Sequence, residues 1–184
     1  MTGGQTCARP ISRAEGLGGP LTTFPVVCEP DLKQLLGIPE RFAVAAEALY
    51  PGITTTKRNF DFVFLEYAER TPISVGPVTV VPFKVHHPSG APPYALRFSL
   101  DGKVIAFTGD TGWVEALCDA AQGADLLISE CFQYDVTLPI HLDYKTIDAN
   151  YARLGAKRVL LTHMGEAMLA ATDKVDPSRY IIAR

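Results

Sequence analysis

The order of short apolar runs between Val78 and Thr162 constrains this chain more than any other feature. Three runs with strand character come first: Val78 to His86, Tyr94 to Leu100 and Lys103 to Thr108. The last two are joined by Asp101-Gly102, a pair that tolerates the positive φ of a tight hairpin turn. The pattern then becomes helix, strand, helix, strand. Trp113 to Gln122 has helical spacing and stops at Gly123, and Leu126-Leu127-Ile128 follows as a strand. Asp143 to Leu154 is a second helix ended by Gly155, and Arg158 to Thr162 is the last strand. A β-hairpin followed by βαβαβ predicts an α/β fold, a mixed sheet with crossover helices on one face.

That order decides where the reactive side chains gather. Strands joined by helical crossovers run parallel, so the ends of Lys103–Thr108, Leu126–Ser129 and Arg158–Thr162 should share one sheet edge. Val78–His86 lies two antiparallel steps from Lys103–Thr108 and has the same direction. Directly after these strands stand His87, Asp110, Glu130 and His163. Sites of α/β sheets are commonly built at such an edge. His87, Asp110 and His163 make a reasonable metal set, because neutral imidazole and carboxylate suit zinc, manganese or iron and one carboxylate can bridge two ions. Each also has an ordinary reading: a polar residue at a strand end, or, for Asp110-Thr111-Gly112, a helix cap. His86 and His87 are adjacent in an extended segment, so their side chains point to opposite faces and one of the two is expected to reach the site.

Composition narrows the function classes. With 184 residues, 47% of them apolar, the chain is long enough to bury a core as one domain. A net charge of −3 without a run of Lys or Arg gives no support for nucleic acid as a partner. The four cysteines, Cys7, Cys28, Cys118 and Cys131, form no C-x-x-C pair. That argues against a zinc ribbon or a disulfide framework and suits a reducing cytoplasm. No apolar run approaches the ~18 residues of a membrane span. Upstream, residues 1–20 are irregular and Gly-rich and are expected to be disordered. Leu21 to Val27 reads as a short strand, Asp31 to Tyr50 as a helical pattern interrupted at Pro39 and stopped by Pro51-Gly52, and Asp61 to Tyr67 as a strand.

Five separated segments make the chain recognisable: His87-Pro88-Ser89-Gly90-Ala91-Pro92-Pro93-Tyr94-Ala95-Leu96-Arg97, Gly109-Asp110-Thr111, Leu126-Leu127-Ile128-Ser129-Glu130-Cys131, His141-Leu142-Asp143 and Leu160-Leu161-Thr162-His163. In this order they resemble the metallo-β-lactamase superfamily, and most nearly its ribonuclease Z-like branch. The resemblance runs over about residues 20–184 and is most specific from His87 to His163. It implies the second half of an αββα domain, an incomplete one occupying 21–184, and a metal-dependent hydrolase acting on a phosphodiester or ester-like bond. By the same resemblance His87 corresponds to a ligand of the first ion, Asp110 to the bridging aspartate and His163 to a ligand of the second ion. Glu130 takes the place of the glutamate in the branch's His-Glu-Ala-Thr motif, with Ser129 where that motif has histidine. His141 matches the histidine that contacts substrate phosphate and protonates the leaving group, and Glu130 would orient it and keep it cationic. The complete family site holds two ions, zinc being the first expectation.

One family signature is missing. The four histidines stand at 86, 87, 141 and 163, so the sequence contains no His-x-His-x-Asp-His. By analogy that motif would add two ligands to each ion and the catalytic base, which leaves each ion one private ligand plus Asp110. Weak metal binding, weak turnover and association into homo-oligomers through an uncovered apolar face are therefore expected. The rival expectation is a non-catalytic, degenerate module that acts by association.

Overall fold

The computed structural model describes residues 67–89 and 92–183, together with 47–49, 51, 52, 55 and 57. The chain divides into two compact units, Met1–Phe64 and Leu65–Arg184. In the first, residues 47–49 are helical and Pro51 and Gly52 form a turn, where the sequence stops its helix. The leader 1–20, the strand expected at 21–27, the start of the expected helical pattern at 31 and residues 61–66 of the strand expected at 61–67 lie outside the described residues, and Tyr67 is not in a strand.

Among the described residues, the second unit is built on a seven-stranded sheet whose spatial order follows the chain. Strands β1 (Ile73–Val75), β2 (Val78–Lys84), β3 (Tyr94–Leu100) and β4 (Lys103–Phe107) form an antiparallel meander. Strands β5 (Leu126–Glu130), β6 (Val159–Thr162) and β7 (Tyr180–Ile182) then extend it in parallel from β4. The connecting helices are α1 (Ala116–Ala121), α2 (Tyr144–Ala149), α3 (Tyr151–Leu154) and α4 (Glu166–Leu169), with a 3-10 turn at Thr172–Lys174. The mixed sheet and its crossover helices are those the apolar order predicts.

The departures have local causes. β2 ends at Lys84 rather than His86: the Val85 amide reaches the Pro93 carbonyl at 3.1 Å, but the opposing Pro92-Pro93 has no N–H to continue the ladder. Helix α1 begins at Ala116 rather than Trp113, because the preceding turn of chain is held to the sheet edge, the Gly112 amide donating to the His86 carbonyl at 3.0 Å. The second expected helix breaks in two at Asn150, whose φ of −106° and ψ of 8° leave the helical range.

Strand alternation sorts the sheet into two faces. Ala95, Ala106, Leu127, Val159 and Leu161 point to the helical side and are buried with Leu117, Ala121, Ile147, Leu154 and Met168. Arg97, on the same face, turns its guanidinium to the end of α1, where Nη1 donates to the carbonyls of Ala120 and Gln122 at 2.8 and 2.9 Å. It satisfies carbonyls that a helix end leaves open and opposes the dipole there. The alternate residues Leu96, Phe98, Ile105, Phe107, Leu126 and Ile128 face the other way, and Leu100 and Ile105 are each 40% exposed.

Candidate metal centre

Parallel addition of β5 and β6 to β4 brings the ends of four strands to one edge, and the expected residues meet there. Ligand atoms of His87, Asp110 and His141 lie within 4.8 Å of one another, and so do those of Glu130, His141 and His163. His163 Nε2 is 3.7 Å from Asp110 Oδ2, which joins the two groups. The imidazole centroids of His87 and His141 are 5.3 Å apart and those of His141 and His163 5.4 Å. His87 is half-buried and His86 exposed, so the extended backbone directs one of the adjacent pair inward.

His141 is the member shared by both groups. Its Nδ1 lies 2.9 Å from Oε2 of Glu130, while Oε1 of Glu130 accepts the backbone N–H of Thr111. Glu130 is 1% exposed with both oxygens engaged, so its geometry suits orienting His141 more than binding an ion directly. The Nε2 of His141 is thereby left for a ligand or a proton. Burial pushes the Glu130 carboxyl up to about 8, the Thr111 amide opposing that rise and the Asp110 charge adding to it. Burial lowers the pKa of His87, with Asp110 opposing, and so favours the neutral imidazole a metal requires.

The loops are built to hold these groups. Thr111 is fully buried and its Oγ1 accepts the His86 amide at 3.1 Å, tying the chain before His87 to the chain after Asp110. Gly112 can only be glycine here, since a Cβ would stand 2.1 Å from the Pro139 carbonyl oxygen. His163 follows β6 with a φ of 51°, a left-handed conformation that costs a non-glycine residue about 1–2 kcal/mol. The ring of Phe132 stacks on His141 at 4.8 Å and lies 5.6 Å from His163. Phe132 does not stand out in the sequence beyond its place just after a strand end, and the buried Thr111 is legible only as the neighbour of Asp110 in Gly109-Asp110-Thr111.

A helix-cap role can be checked at both Asp110 and His141. Asp110 does not cap α1, whose N-cap position is Glu115. His141 does not cap α2, because the Asp143 carboxylate accepts the Thr146 amide at 2.8 Å. Cys131 is buried and its thiol is pushed up to about 12 by that burial, which makes it inert at neutral pH. Imidazoles and a carboxylate within 4.8 Å are a donor set that suits a divalent ion such as zinc, manganese or iron.

A family model described as the beta-lactamase superfamily domain matches residues 19–164. The probable metallo-hydrolase YhfI of Bacillus subtilis is 30% identical over 103 residues, which are 54% of this chain and 41% of that protein. The uncharacterized protein Rv1339 of Mycobacterium tuberculosis is 30% identical over 102 residues, 53% of this chain and 37% of that one. The crystal structure of YhfI superimposes with a TM-score of 0.54 at 25% identity, over 65% of this chain and 52% of that chain. A diphosphatase from the PhnP family reaches 0.55 at 17% identity, over 79% and 53%, a likeness of fold alone. The matched region spans about two-fifths of the length of these curated relatives.

Proposed function

The chain belongs to the beta-lactamase superfamily and has the metallo-β-lactamase fold, and from that premise we propose that it is a metal-dependent hydrolase cleaving a phosphodiester or ester-like bond. The observation that carries this reading is the convergence of His87, Asp110, His141 and His163 at one sheet edge, with buried Glu130 behind His141.

In this reading His87, Asp110 and His163 hold the metal, and Asp110 stands between the two histidines. A divalent ion there, zinc in first place or manganese or iron, supplies Lewis acidity and lowers the pKa of water. His141 presents Nε2 toward the leaving-group oxygen and donates its proton, while Glu130 fixes the ring through Nδ1. With no His-x-His-x-Asp-His in the sequence, the donors of this chain hold metal weakly and its own turnover is low. A small-molecule or phosphodiester substrate is the expected partner, nucleic acid gaining no support from a net charge of −3. No helix among the described residues is long and apolar enough to cross a membrane, and Cys118 and Cys131 are free thiols, which suits a reducing cytoplasm. Exposure of Val75, Leu100 and Ile105 keeps a second reading in play, a module acting by self-association.

Hydrolysis of bis(p-nitrophenyl) phosphate with added zinc or manganese tests the proposal. We expect slow, metal-dependent turnover that Asp110→Asn abolishes. His141→Ala should lower kcat by ~10²–10⁴ with bound metal retained, the usual scale for a lost general acid. No metal-dependent turnover in the unmodified chain would favour the module, and loss of metal in His141→Ala would make His141 a ligand.

A further inference from the structure

Phe132 is attached twice over to the two loops that carry His141 and His163. Its ring stacks on His141 with centroids 4.8 Å apart and planes 28° apart, and meets His163 at 5.6 Å and 32°. The backbone repeats the pattern. Its amide donates to the carbonyl of Leu142, the neighbour of His141, at 2.9 Å, and its carbonyl accepts the amide of Gly165, two residues past His163, at 3.0 Å. The second loop comes so close that a Cβ on Gly165 would lie 2.9 Å from the Phe132 carbonyl oxygen and 3.3 Å from ring atom Cε2.

We propose that Phe132 is a positioning residue, whose ring sets the planes of His141 and His163 so that their nitrogens converge on the same point. The proposal rests on the reading of this edge as a metal-dependent hydrolytic centre. A single hydrogen bond between Glu130 and Nδ1 fixes one atom of the His141 ring and leaves it free to swing about that contact, since the terminal torsion of histidine is broad. The stacked face of Phe132 removes that freedom. For His163 the same ring works with Asp110, whose Oδ2 at 3.7 Å is too distant for a hydrogen bond to hold the plane alone. An aromatic face is needed for this task, because a branched aliphatic side chain fills the volume without matching the plane of an imidazole.

The test compares the full chain with Phe132→Leu and Phe132→Tyr. Three quantities are measured: imidazole ¹³C relaxation of His141 and His163 without metal, zinc affinity by competition with a chromophoric chelator, and thermal unfolding. The expected result is ordered rings in the unmodified chain and in Phe132→Tyr. In Phe132→Leu both rings become mobile and zinc affinity falls by ~10–100-fold, the scale for groups that orient ligands. Gly165→Ala, which displaces Phe132 without removing its ring, should loosen the same two imidazoles and serves if Phe132→Leu does not fold. Rings that stay ordered in both Phe132→Leu and Gly165→Ala overturn the proposal. The site reading fails separately: an unmodified chain that takes no zinc, while its imidazoles lose order in Phe132→Leu, contradicts the metal centre and upholds the positioning by Phe132.

Discussion

The two ends of the sheet are built on opposite terms. At the end where β4 begins, the chain reverses through Asp101-Gly102, and a Cβ added at Gly102 would meet nothing within 4 Å. At the other end, the loops after β2, β4, β5 and β6 are bonded to one another: His86 to Thr111 and Gly112, Thr111 to Glu130, Phe132 to Leu142 and Gly165. Positive φ falls on Asp101 and Gly102 at the first turn, and on Gly109 and the non-glycine His163 at the site end. Turns with open space only redirect the chain, whereas the loops at the site end fix side chains. Backbone strain at His163 is held in place by that mutual bonding.

Substitutions at matched positions can break this comparison. The largest effect is expected for Gly112→Ala, whose new Cβ would meet the Pro139 carbonyl oxygen at 2.1 Å. Overpacking of this kind costs about 1–3 kcal/mol or more, and the shift of the loop should also weaken zinc binding. Urea unfolding together with a zinc titration reads both effects; a stable variant with unchanged affinity would show that the loop is not held as described.

An intermediate effect is expected from Glu130→Gln in the metal-free protein. Burial lets Glu130 keep its proton to about 8, against a usual value of 4.5. Its contribution to stability is therefore present below 4.5 and is lost as pH rises toward about 8. The unfolding midpoint of the unmodified chain should fall over that window and the glutamine variant should fall less. Identical pH profiles would mean that the carboxyl is not held protonated by burial.

The smallest effect belongs to Gly102→Ala. With φ at 72° and open space around the position, the cost is backbone strain alone, about 1 kcal/mol. Zinc affinity should not change. A change in affinity would show that the two ends of the sheet are coupled.

The same contrast explains what the sequence made legible. Tyr94–Leu100 is read to the residue, because alternation runs uninterrupted up to a turn whose residue types announce it. The edge strands Ile73–Val75 and Tyr180–Ile182 pass unseen, since three residues are too few to show a period. At the site, strand order alone predicts that His87, Asp110, Glu130 and His163 meet. Order says nothing about rotation of rings or hydrogen bonds between loops, so the expected division into three metal residues and a separate acid gives no hint of His141 standing within ligand distance of both groups. The role of Phe132 is likewise a product of tertiary packing.

Zinc binding by equilibrium dialysis, compared between the unmodified chain, Asp110→Asn and His86→Ala, tests the central claim most directly. Asp110 stands in the group with His87 and His141 and within 3.7 Å of His163, whereas the His86 side chain is exposed. The account predicts that the unmodified chain and His86→Ala bind zinc alike and that Asp110→Asn binds it at least about tenfold more weakly. Zinc held equally by all three, or by none, would contradict it.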